Sequence, residues 1–181
     1  MKKKPAAKSK RKVQPIPKGF HALTPYIMVQ GASEAMEFYK KAFGAKVRYK
    51  MPGPDGKSVA HGEMIIGDSI FMMADGSPQA LAKSPKALNG TSTGFVLYVK
   101  NTPAAFDRAV KAGATVKYPI RDMFYGERTG TVEDPYGHIW TFMTHIEDVP
   151  PAEMKRRMTE FCEKMGKMQP NPEQAVCAET A

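Results

Sequence analysis

Four groups of residues in this 181-residue chain have the types and spacing to do chemistry. His61 and Glu63 lie two apart in the run Val59–Ile66, which reads as a strand, so both point to one face. Lining a cavity, they could act as general acid and base, hold a polar ligand, or offer two metal ligands. On a half-exposed strand they would instead be a solvent-facing pair. Arg128 follows the aromatic pair Phe124-Tyr125. A guanidinium beside aromatics can clamp a carboxylate or phosphonate, or simply pair with a nearby acid such as Asp122 or Glu133. Trp140 can line a ligand site or pack in the core, and His138 reads as a hydrogen-bond partner of a turn. His145, Glu147 and Asp148 form a further polar cluster, either an acid–base pair or the cap of a helix that follows. Cys162 and Cys177 have neither zinc-site nor CxxC spacing, which excludes a disulfide framework and fits a reducing cytoplasm.

The elements that must position these residues come as a repeat. One helix is expected over Ser33–Gly44, capped by Ser33 and closed by Gly44. A second is expected over Thr102–Gly113, capped by Thr102 with Pro103 in the first turn. Tyr26–Val29 and Phe95–Val99 precede them as strands, and Val47/Tyr49 and Val116/Tyr118 follow at a constant offset. The same offset lays Ile70-Phe71 on Ile139-Trp140. Two closing strands complete each half, Val59–Ile66 with Ile70–Ala74 and Gly130–Glu133 with His138–Thr144. Gly67-Asp68 and Asp134-Pro135-Tyr136-Gly137 supply the turns. The pattern predicts an α+β fold of two tandem βαβββ modules, about 22–75 and 94–146, whose mixed sheet curls to enclose a cavity. The linker Asp75–Thr93 reads as a loop. A C-terminal amphipathic helix is expected over 151–167, with Met154, Met158, Phe161 and Met165 as its apolar stripe.

Charge is unevenly spread. The chain has 27 Lys+Arg and 18 Asp+Glu, a formal net charge of +9. Residues 1–18 hold eight of the cations and no acid, so the remainder carries about +1. Residues 1–19 read as a basic, disordered tail, and 168–181 as a disordered end. A nearly neutral body disfavours specific nucleic-acid binding. No apolar run approaches the ~20 residues of a membrane span.

The duplicated pattern resembles the vicinal oxygen chelate superfamily, which includes glyoxalase I, bleomycin resistance proteins and extradiol dioxygenases, and within it the PhnB-like branch. The residues carrying the resemblance are Thr24-Pro25-Tyr26, the run Ala35–Ala45, His61-Gly62-Glu63, Ile66–Ser69, Phe124–Arg128, Asp134–Trp140 and Thr144–Val149. It covers about residues 20–150. The resemblance implies one divalent metal held at the starts of the first strands and in the last strands of the two halves. Those positions fall near Thr24, Met72, Thr93 or Gly94, and Thr141, none of them His, Asp or Glu. Hydroxyls and a thioether suit Zn²⁺, Ni²⁺ or Fe²⁺ poorly.

The expectation is therefore a metal-independent binding protein, without cofactor, that sequesters or carries an organic ligand and forms a homodimer. Its catalytic candidates are His61 and Glu63, and its ligand-binding candidates are Thr24, Met72, Tyr125, Arg128, Trp140 and Thr141. The alternative is a glyoxalase- or dioxygenase-type enzyme with His61 and Glu63 as relocated metal ligands.

Overall fold

A computed structural model describes residues 13–77 and 80–168. Residues 1–12, most of the expected basic tail, and the expected disordered end from 169 onward lie outside the described residues. The chain divides into two compact units. The first comprises the residues up to Lys40 together with Gly44–Lys83, and the second Lys41–Phe43 together with Ser84 onward.

The first unit holds β1 (Tyr26–Val29), α1 (Ala32–Phe43, its last three residues counted with the second unit), β2 (Lys46–Pro52), β3 (Val59–Ile66) and β4 (Ser69–Asp75). The second holds α2 (Pro85–Leu88), β5 (Gly94–Tyr98), α3 (Thr102–Lys111), β6 (Thr115–Asp122), β7 (Glu127–Glu133), β8 (Ile139–His145) and α4 (Pro151–Met168). The strands form two four-stranded mixed sheets, ordered β1-β4-β3-β2 and β5-β8-β7-β6. In each, the first strand runs parallel to the last and the remaining pairs are antiparallel. This is the tandem βαβββ arrangement, and the identical strand order confirms the repeat.

Alternation along the strands explains which face is core. On β3, Gly62, Met64 and Ile66 are buried, whereas His61, Glu63 and Ile65 are only half-buried. On β4, Phe71 and Met73 are buried, and the Phe71 ring meets Tyr39 of α1 edge-on with centroids 5.7 Å apart. Met36 and Tyr39 of α1 are 2% and 0% exposed, and each such side chain contributes roughly 1.5–3 kcal/mol by leaving water. In the second unit Phe106 of α3 packs against Phe142 of β8.

Both helix starts differ from the expectation. The N-cap of α1 is Gly31, at φ 81°, with no side-chain cap of its own; Ser33 lies inside the helix and accepts from Lys50 Nζ. Asp75, at the end of β4, supplies the missing acceptor, its Oδ1 receiving the N–H groups of Gly31 (2.8 Å) and Ala32 (2.9 Å). A carboxylate there satisfies orphan donors and complements the positive end of the helix dipole. For α3 the cap is Asn101, whose side chain accepts from Ala104 N, while Thr102 is the first helical residue and fully buried. The linker is also not wholly loop: Ser84, 2% exposed, caps the short α2.

Candidate functional site

The sheet face of the first unit turned away from α1 carries the densest chemistry. Register places Tyr26 (β1), Met72 (β4), Glu63 (β3) and Tyr49 (β2) opposite one another in a row across all four strands. A register shift between Val47 and Tyr49 marks a bulge in β2. Bulges re-aim side chains, and here Arg48 reaches the same face as Tyr49 and forms an ion pair with Glu63 Oε2. The Arg48 guanidinium also lies over the Phe20 ring, 4.7 Å from its centroid.

The contacts continue beyond Glu63. Its Oε1 is 3.4 Å from His61 Nε2, and His61 Nδ1 is 3.4 Å from the Tyr26 hydroxyl. The Tyr26 and His61 rings stack at 5.7 Å, and Tyr49 meets His61 from another strand at 6.2 Å. Burial pushes the Tyr26 hydroxyl above the ordinary tyrosine pKa. The arrangement is a polar chain from Tyr26 through His61 and Glu63 to Arg48.

Beside this chain lies a groove of about 540 Å³. The segment Pro15–Thr24 forms one side, and Arg48, Glu63 and Met72 form the other. Thr24, Met72 and Glu63, singled out in the sequence, are thus brought together. His61 stands behind Glu63 without lining the groove. Thr24 Oγ1 donates to the His21 carbonyl at 3.1 Å, which holds the segment in a turn before β1. Phe20, Tyr26 and Arg48 were not among the residues singled out.

The candidates in the second unit are dispersed. Trp140 is 4% exposed, packs on Phe95 and Phe43 at 4.7 and 4.6 Å, and donates from Nε1 to Asp134 Oδ2 at 2.9 Å. It stands in the core of the second unit. Arg128 donates to both carboxylate oxygens of Asp122 at 2.6 and 2.8 Å, the ion-pair alternative rather than a free clamp. That pairing holds the Asp122 carboxyl below its ordinary range and Arg128 above its own. Thr141 shares a 2.9 Å contact between hydroxyls with Thr131 on β7.

Tyr125 lines a separate groove of about 450 Å³ with His145, Glu147, Asp148 and Met154 among others. Asp148 does not cap α4. It meets His145 Nε2 at 2.9 Å, while His145 Nδ1 meets Glu127 at 2.9 Å. The hydrogen bond to Asp148, then that to Glu127, raises the His145 pKa. Glu147 pairs with Arg157 of α4 through two 2.7 Å bonds, which lower the Glu147 pKa. From the helix stripe, Phe161 packs on Phe124 with centroids 5.0 Å apart, whereas Met158 is 49% exposed. The side chain of Met165 lies outside what is described.

Residues 19–142 match the glyoxalase/bleomycin resistance protein/dioxygenase superfamily. The chain belongs to this superfamily. The uncharacterized protein Rv0887c of Mycobacterium tuberculosis is 37% identical over 141 residues, covering 76% of this chain and 82% of that protein. A solved structure of the At5g48480 gene product of Arabidopsis thaliana superposes with a TM-score of 0.56 at 28% identity, covering 68% of this chain and 98% of that one. A Bacillus cereus PhnB protein, described as a putative 3-demethylubiquinone-9 3-methyltransferase, superposes with a TM-score of 0.53 at 17% identity, covering 68% and 99%. The last similarity concerns the fold.

The superfamily's divalent metal does not fit the side chains present. The positions at which the resemblance places it are near Thr24, Met72, Thr93 or Gly94, and Thr141, which offer no charged or imidazole donor. The nearby His61–Glu63 pair lacks a third ligand, and the Arg48 guanidinium already holds the place where a cation would sit on Glu63. Among the described residues no group of three His, Cys, Asp or Glu side chains could hold a metal ion. Among them also, no helix is long and apolar enough to cross a membrane.

Proposed function

We propose that this protein binds a small organic molecule without a metal, in the manner suggested by the bleomycin resistance branch of its superfamily, and that the groove of the first unit is the binding site. One observation carries the reading: a groove of about 540 Å³ with apolar walls ends on a charged pair, Arg48–Glu63, drawn from two adjacent strands. Small-molecule sites combine apolar lining with a few placed polar groups in this way. In this reading Thr24 and Met72 contact the ligand, and the Glu63 carboxylate is taken by Arg48 and His61 rather than by a metal.

The test is a ligand screen by saturation-transfer NMR on the full chain, run in EDTA and then with added Zn²⁺ or Mn²⁺. Binding that persists in EDTA and is lost in Met72→Lys, which fills the groove with a charged chain, supports the proposal. Binding that requires the added metal overturns it in favour of the metal-dependent enzyme.

A further inference from the structure

The two charged groups of the groove are unequally occupied. Both carboxylate oxygens of Glu63 are engaged, Oε2 by Arg48 and Oε1 by His61. The hydroxyl of Thr24 donates to His21 O. Arg48, by contrast, uses only Nη1 on Glu63, and a guanidinium carries five N–H groups. Its guanidinium carbon lies 4.7 Å from the Phe20 ring centroid, and its side chain keeps 35% of its exposure. The N–H groups left over on Arg48 are therefore the charged donors this groove offers, with the His21 imidazole also on its lining. Around them stand Ile16, Phe20 and Met72, an apolar wall.

We propose that the ligand is an organic anion with an apolar body, its carboxylate or phosphonate end carried by Arg48. This rests on the binding role proposed above. An anion with two oxygens can take two parallel N–H bonds from a guanidinium, a neutral alcohol takes one, and an ammonium group is repelled. Glu63 competes with the ligand for the same guanidinium. Removing the two partners therefore has opposite effects: loss of Arg48 weakens anion binding, and loss of the Glu63 charge strengthens it.

The experiment titrates the full chain in EDTA with benzoate, phenylphosphonate, benzyl alcohol and benzylamine, following the Arg48 Nε–H and Met72 methyl signals by NMR. The two anions are expected to bind about tenfold more tightly than the alcohol, one well-formed charged interaction's worth. R48Q should lose about tenfold in anion affinity, R48K should fall between, and E63Q should gain severalfold. Unchanged thermal unfolding of R48K guards against a folding defect. Equal binding of alcohol and benzoate overturns the anion class and leaves the binding role standing. E63Q weakening in parallel with R48Q overturns Arg48 as the carrier. Failure of all four probes in EDTA overturns the inference, and their rescue by Zn²⁺ overturns the binding role as well.

Discussion

The two units carry the same frame and spend it differently. Across the first sheet the row reads Tyr26, Met72, Glu63, Tyr49; across the second the corresponding row reads Val96, Thr141, Thr131, Tyr118. In one row Glu63 pairs with Arg48 and meets His61, and in the other two neutral hydroxyls are bonded to each other. The same divergence recurs where each helix begins. Asp75 caps α1 with a carboxylate, while Thr144, its counterpart in β8, accepts from Thr102 N at 3.0 Å and donates to Val99 O at 2.7 Å. A shared topology fixes where a side chain stands, and the residue placed there decides whether the position carries charge.

The comparison can be broken most sharply at the turn glycines. Gly126, between β6 and β7, has φ 90°, and an added Cβ would lie 2.1 Å from the Glu147 carbonyl oxygen. Gly56, between β2 and β3, has φ 67° with open space around it. Gly126→Ala should cost about 4 kcal/mol and Gly56→Ala about 1, read by urea unfolding. Equal costs would mean that the β8–α4 connector yields freely.

The helix caps come next. Asp75→Ala leaves three backbone donors unsatisfied, at Gly31, Ala32 and Val59, and should cost about 3 kcal/mol. Thr144→Val removes only neutral hydroxyl bonds and should cost about 1.5 kcal/mol. A reversed order in chemical denaturation would show that charge is not what separates the two caps.

The glycines under the helices form a third pair. A Cβ on Gly62 would meet the tip of Met36 at 2.1 Å, and one on Gly130 the Phe106 ring at 2.7 Å. The thioether can swing away and the ring cannot, so Gly130→Ala should cost about 2 kcal/mol and Gly62→Ala less than about 1, despite the shorter distance. Calorimetric midpoints of the two variants check the order.

The smallest effect belongs to His145, whose counterpart in the first unit is Gly76. Both its ring nitrogens meet carboxylates, and neutral imidazole has only one N–H, so the pairing is complete only in the imidazolium form. Its folded-state pKa is raised. The stabilisation is thus fully present below the ordinary histidine value of about 6.5 and is lost as pH rises through the raised folded value. The stability difference between wild type and His145→Gln should shrink over that interval. A difference that grows with pH would contradict the pairing.

The repeat, both hairpin turns and the helix C-terminus at Gly44 were legible because they depend on neighbours in sequence. The α1 cap was not, since Ser33 has the right chemistry locally but Asp75 arrives from 43 residues away. Arg48 escaped because strict alternation puts it on the face opposite Tyr49, and only the bulge in β2 turns both toward Glu63. His61 and Glu63 were found by spacing alone. Trp140 and Arg128 had the right types for a site, but Asp134, Phe43 and Asp122 claim them.

The carboxylate of Asp75 has a further consequence for the order of assembly. It ties together chain segments at 31–32, 59 and 75, closing separations of 44, 43 and 16 residues. During synthesis α1 emerges long before its cap, so its first turn waits uncapped until β4 has left the ribosome and docked. The helix that stands first in the sequence is therefore among the last elements of the first unit to be completed, and that unit should fold at the pace of its slowest long-range closure.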